Sequence, residues 1–242
     1  MIGIILAAGV ASRMRPLTNN TPKCLLPMGG KTILERTVNN LLANDIDDII
    51  IVTGYLNNKI RDFIETAFPK IKITIIHNEI YDSTNNIYSL WLTKNHTLNH
   101  DMLLLDSDIV FDGRIIAQLK SSGYENSLAL KSDHKLGDEE IKVTVAADRA
   151  VTEISKTVNP ASAIGESVGI ECFSKNFVNE LFTILDEMII MQKDVNVFYE
   201  KAFQRAIEQG QKIYPVDVQS YKCMEIDTIE DYEQAKKMIT DL

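Results

Sequence analysis

Residues 1–36 read MIGIILAAGVASRMRPLTNNTPKCLLPMGGKTILER. Ile2 to Ala8 is an unbroken apolar run, short for a helix and stopped by Gly9, the pattern of a strand buried on both faces. After a polar loop, Thr32 stands ahead of Ile33, Leu34, Val38, Leu41 and Leu42, which fall at helical spacing. Glu35, three residues beyond Thr32, gives that helix a capping-box start. A buried strand, a long loop and an amphipathic helix open an α/β fold.

The same rhythm runs on. Strands are predicted at 48–53, 72–77 and 102–105, alternating with helices at 58–67, 86–93 and 114–120. Such alternation makes a mostly parallel central sheet with helices on both faces, and ligands bind beyond the carboxyl ends of its strands. The Gly9 loop and Asp106-Ser107-Asp108 are two such ends. Later, 127–131, 141–147, 167–173, 213–218 and 223–226 read as strands, and 175–190, 197–209 and 229–238 as helices. No repeat or linker interrupts the chain, so one domain spans 1–242, with a small substrate-binding lobe at about 126–211.

Composition narrows the partners. Asp and Glu number 34 against 25 Lys and Arg, a net charge of −9 that repels nucleic acid and anionic membranes wherever positive charge is not gathered locally. A chain of 242 residues buries enough surface to need no disulfide or structural metal. Cys24, Cys172 and Cys223 lie far apart and read as structural thiols of a reducing compartment. The first ten residues make a poor signal peptide and no stretch suits a membrane span, so a cytoplasmic protein with small-molecule partners is expected. Oligomeric state is not legible.

Positive charge is in fact gathered. From Met1 to Leu34 there is no acidic residue, yet Arg13, Arg15, Lys23 and Lys31 are all present, and a basic loop following a buried strand suits an anionic ligand. Gly-x-Gly-x-x-Gly is absent, and Gly30-Lys31-Thr32 mimics a P-loop only until Leu25, where its first glycine is required.

Leu6-Ala-Ala-Gly9, Arg13, Arg15-Pro16-Leu17-Thr18, Pro22-Lys23, Leu25, Pro27, Gly30-Lys31 and Leu34-Glu35 together resemble the signature loop of the sugar-phosphate and choline-phosphate nucleotidyltransferase family. Asp106-Ser107-Asp108 and Glu225-Ile226-Asp227 match its later landmarks, and Asn85-Asn86-Ile87-Tyr88-Ser89-Leu90 resembles a segment of the CTP:phosphocholine cytidylyltransferase branch. The resemblance implies a Rossmann-like nucleotidyltransferase fold and a Mg²⁺-dependent transfer from CTP, with release of pyrophosphate. The acceptor it implies is phosphocholine or an aminoalkyl phosphonate. By the same match Arg13 holds the β and γ phosphates, Lys23 bridges the α-phosphate and the acceptor, and Asp108 with Asp227 holds the metal. Leu6, Ala7, Ala8, Gly9, Asn85, Asn86, Ser89 and Asp106 would meet the nucleotide.

Other readings stand beside these. A hexose-1-phosphate uridylyl- or thymidylyltransferase is the rival enzyme. A regulatory domain that only binds nucleotide is a third, although retention of Lys23, Arg13, Asp108 and Asp227 argues against it. Asp108 could cap a helix, Asp227 or Thr228 could be an N-cap, and so could Asn86. Tyr88 and Trp91 suit core packing, His96 and His100 a turn, and 138–140 a solvated charge run. For a cationic acceptor head, Glu166 and Glu171 are the acidic candidates and Phe198, Tyr199 and Tyr221 the aromatic ones.

Overall fold

The protein, seen as a computed structural model, is described over residues 1–239. The chain runs β1 (Ile2–Ala7), a small hairpin of β2 (Pro27–Met28) and β3 (Lys31–Thr32), α1 (Ile33–Leu42), β4 (Ile49–Thr53), α2 (Asn57–Ala67) and β5 (Ile73–His77). Next come α3 (Asn86–Leu92), α4 (Lys94–Thr97), β6 (Met102–Asp106), β7 (Ile109–Phe111), α5 (Arg114–Ser121), β8 (Asn126–Lys131), β9 (Lys142–Val145), β10 (Val151–Ser155) and β11 (Gly165–Phe173). The remainder is α6 (Lys175–Asp186), α7 (Glu200–Glu208), β12 (Tyr214–Asp217), β13 (Cys223–Glu225) and α8 (Ile229–Met238).

Nine strands form one mixed, mostly parallel sheet in the order β10-β9-β11-β6-β1-β4-β5, with β8 joined to β11 and β12 to β8. β6, β1, β4 and β5 are mutually parallel, whereas β11 is antiparallel to β6, β8 and β9. The strands of 126–211 are thus built into the same sheet as the amino-terminal ones. Because side chains alternate along a strand, Ile2, Ile4 and Leu6 enter a core with α3, α6 and α7, while Ile5 and Ala7 enter another with α1, α2 and α5. That two-sided burial is why β1 is apolar throughout. Gly3 leaves room for close packing, since a Cβ there would stand 3.1 Å from Leu41.

Local chemistry sets the ends. The Thr32 hydroxyl accepts from Glu35 N at 3.0 Å. Thr228, not Asp227, caps α8, in a full capping box with Asp231. Asn85, rather than Asn86, caps α3. Two expectations shift: the helix expected at 175–190 closes in a π turn over Glu187–Met191, and the one expected from 197 begins at Glu200. His96 lies in α4 and His100 beyond it, so the pair shares no helical face. Tyr88 and Trp91 pack on the first core, with ring centroids 5.4 Å apart.

A third, smaller core joins Met14, Leu26 and Met28 of the amino-terminal segment and Ile33 of α1 to Val110, Ile226 and, from α8, Tyr232 and Ala235. The basic loop and the carboxyl-terminal segment are therefore packed on each other. No helix among the described residues is long and apolar enough to cross a membrane.

Candidate active site

A cleft of about 720 Å³ opens at the carboxyl ends of β1 and β6. One wall is the small-residue edge Leu6, Ala7, Ala8 and Gly9, and a Cβ on Gly9 would meet nothing within 4 Å. Asn85, Asn86 and Ser89 border the same space, as does Asp106. The eight residues expected to meet a nucleotide thus line one cavity. Asn86 Oδ1 accepts from Tyr199 N at 2.9 Å, and Asn78 Nδ2 donates to Ser89 Oγ at 3.2 Å, so both polar side chains are held in place.

The charged centre is built from opposite ends of the chain. Lys23, in a short 3₁₀ turn after Pro22, donates from Nζ to Asp108 Oδ2 and to Asp227 Oδ1, each at 2.9 Å. Asp108 follows β6, and Asp227 follows β13, which pairs with β7; Ile226 N donates to the Asp108 carbonyl at 2.9 Å and fixes the two segments together. Arg13 Nη2 donates to Asp227 Oδ2 at 2.7 Å, and its Nη1 stands 3.7 Å from Glu139 Oε2. Burial opposes the Lys23 charge, but Asp108 and Asp227 outweigh it and hold the ammonium above the ordinary lysine range. Burial likewise works to raise the Asp227 pKa, while Lys23 and then Arg13 bring it below its usual value.

Glu225 joins this centre. Oxygens of Asp108, Glu225 and Asp227 lie within 4.8 Å of one another, and Asp108 Oδ1 is buried with no partner. Burial first, then repulsion by Asp108 and Asp227, pushes Glu225 up to about 8. Its place was readable: in an extended segment residues two apart share a face, so Glu225 goes where Asp227 goes. Lys156, just past β10, is a second residue the sequence reading passed over. It borders the cleft, 3.4 Å from Glu139 Oε2 and 5.0 Å above the Phe198 ring centroid.

The aromatic expectations fare unevenly. Phe198 borders the cleft, but Tyr199 and Tyr221 do not. Tyr199 is fully buried and its hydroxyl donates to Asp106 Oδ2 at 3.0 Å, since its position just before α7 turns it into the core. Tyr221 packs on the second core beneath the Arg114 guanidinium. Neither can touch a ligand in the cleft, so the structure corrects both as acceptor contacts. Glu166 does face the cleft, paired with His134 Nε2 at 3.0 Å, whereas Glu171 is wholly buried. Gly169, at φ +66, brings the β11 backbone against Asp106; a Cβ there would stand 2.6 Å from its Oδ2. Burial, and then the nearby Asp108 and Glu171, hold Asp106 well above the usual carboxyl range.

Small walls and two cations, each paired with carboxylates, give the cleft room and charge for an anionic ligand. Residues 3–169 match the family described as the MobA-like NTP transferase domain, and the chain belongs to that family of nucleotidyltransferases. It is 29% identical over 242 residues to a choline-phosphate cytidylyltransferase of Haemophilus influenzae, covering 99% of this chain and 98% of that one. It is 27% identical over 255 residues to a CTP:phosphoglutamine cytidylyltransferase of Campylobacter jejuni, covering 96% and 98%. The fold superposes on the CTP:phosphocholine cytidylyltransferase of Streptococcus pneumoniae with a TM-score of 0.81 at 22% identity, covering 98% of this chain and 99% of the other.

Proposed function

We propose that this protein transfers a cytidylyl group from CTP to a small phosphorylated acceptor carrying a cationic nitrogen, phosphocholine or an aminoalkyl phosphonate. The observation that carries this is Lys23 held between Asp108 and Asp227 at the floor of a cleft with a small-residue edge. The full-length similarity to cytidylyltransferases supports the nucleotide, and the Asn85-Asn86 pair on the cleft wall supports it locally.

In this reaction an acceptor phosphate oxygen attacks the α-phosphorus, the bond from that phosphorus to the β-phosphate oxygen breaks, and pyrophosphate leaves. The attacking oxygen is already anionic near neutral pH, because a phosphate monoester loses its second proton at about 6. No general base is required of the protein. Its tasks are alignment and charge stabilisation. Lys23, only 11% exposed, serves the α-phosphate and the acceptor phosphate. Arg13, at the mouth, receives the β and γ phosphates, and Lys156 adds positive charge on the acceptor side. Each leaves a carboxylate partner as it does so.

Asp108, Glu225 and Asp227 fit Mg²⁺: the donor set is all oxygen, the three converge, and a buried Asp108 oxygen lacks a partner. When bound, the ion supplies charge neutralisation on the triphosphate. Glu166, held by His134, and Glu200 are the acidic groups on the cleft wall that we assign to the acceptor end.

The test is pyrophosphate release with each of the four NTPs against phosphocholine, aminoethylphosphonate, polyol phosphates and hexose 1-phosphates. CTP with an amine-bearing acceptor should give the highest kcat/KM. Efficient turnover of UTP or dTTP with glucose 1-phosphate, and none with the amines, would overturn the proposal in favour of the sugar enzyme.

A further inference from the structure

We propose that the acceptor head is an ammonium bearing N–H donors, not a quaternary trimethylammonium, and that Glu200 is the carboxylate that selects it. The inference rests on the reading of this cleft as a cytidylyl-transfer site with a cationic acceptor, and it divides the acceptors which that reading leaves together.

Quaternary ammonium offers no N–H. Proteins hold it against several aromatic faces. Among the described residues the cleft has only two aromatic side chains, Tyr81 and Phe198. Tyr81 stands beside the small-residue wall: it packs on the Gly54 backbone, where an added Cβ would stand 2.6 Å from both Tyr81 Cβ and the Ala8 carbonyl oxygen. Phe198 already has a cation over its ring, the Lys156 ammonium at 5.0 Å. With Tyr199 and Tyr221 turned away, no aromatic box remains.

Carboxylates remain instead. Glu200 borders the cleft from the first turn of α7 with 6% of its surface exposed, and its Oε2 has no hydrogen-bond partner. Glu166, by contrast, is engaged by His134. Glu171, wholly buried, lies close enough for the Glu200 charge to disfavour its ionisation. A buried carboxyl oxygen without a donor is costly. A primary ammonium supplies both the donor and the charge, whereas three methyl groups supply the charge alone and leave the oxygen unpaired.

The decisive comparison uses 2-aminoethyl phosphate and phosphocholine, which differ only in the three methyl groups, with CTP and Mg²⁺ in a pyrophosphate-release assay. The purified protein should favour the primary amine by at least roughly tenfold in kcat/KM, since a site built around a hydrogen bond rejects the analogue that lacks it. Glu200→Gln should raise the KM for 2-aminoethyl phosphate, move that for phosphocholine much less and leave the CTP KM unchanged. Equal or reversed preference in the wild-type protein overturns the inference even if the variant fails to fold, as does a variant that impairs both acceptors alike. Failure of both amines with CTP, alongside turnover of a hexose 1-phosphate, refutes the underlying reading and the inference with it.

Discussion

Glu200 is also a residue whose protonation should be visible in the stability of the fold. Burial pushes its carboxyl from an ordinary 4.5 up to about 7, with only its own backbone N–H and Lys156 opposing. An acid whose pKa is higher folded than unfolded binds more protons in the folded state, so its contribution is fully present below the unfolded value and is lost as pH rises through the folded one. The window therefore runs from about pH 4.5 to about pH 7. At about 1.36 kcal/mol per pKa unit the contribution lost across it is about 3 kcal/mol. Glu200→Gln replaces the protonated carboxyl by a neutral near-isostere, so the two proteins should be about equally stable at the acid end. By pH 8 the variant should be more stable by up to about 3 kcal/mol. Urea unfolding followed by circular dichroism at four or five pH values measures the difference directly. Parallel stability curves for the two proteins would refute the reasoning, because Glu200 would then titrate as an ordinary surface carboxyl.

Removing Lys23 as Lys23→Ala should lower turnover by about 10²–10³, the scale for one charge-stabilising donor; a folded variant with a near-normal rate removes it from the mechanism. Asp108→Asn should abolish Mg²⁺-dependent turnover while retaining nucleotide binding, which isothermal titration with CTP resolves; activity at ordinary Mg²⁺ concentrations would place the metal elsewhere. Thr228→Ala, which removes the cap of α8 and one half of its capping box, should cost about 1 kcal/mol in thermal or urea unfolding. An unchanged midpoint would mean that the packing of α8 alone fixes its start.

The parallel half of the sheet was legible because its strands are buried on both faces and its helices on one, which leaves apolar runs and helical periods in the sequence. β13 was legible as the strand expected at 223–226, but its partner β7, three residues long, was not, and the pairing between them spans more than a hundred positions. No local pattern encodes that ladder, yet it brings Asp108 to Asp227. The site residues were legible where chemistry and spacing coincide, as in the acid-free opening segment. Tyr199 and Tyr221 misled because aromatic character says nothing about which way a ring turns. Glu200 escaped notice because no sequence pattern tells which side of the 197–209 helix meets the cleft; it stands at the start of α7, beside it.

The third core has a consequence for how this enzyme fails. Met14 adjoins Arg13, Leu26 lies three residues beyond Lys23 and Ile226 adjoins Asp227, and these three apolar residues share one small cluster with Tyr232 of α8. A fluctuation that opens the cluster withdraws cations and carboxylates together. Catalytic competence should then be all-or-none with respect to that opening: a population in which it is breached contributes inactive molecules, not slower ones. Mild denaturant would accordingly reduce the active fraction before the nine-stranded sheet unfolds, while the remaining molecules keep their KM for both substrates.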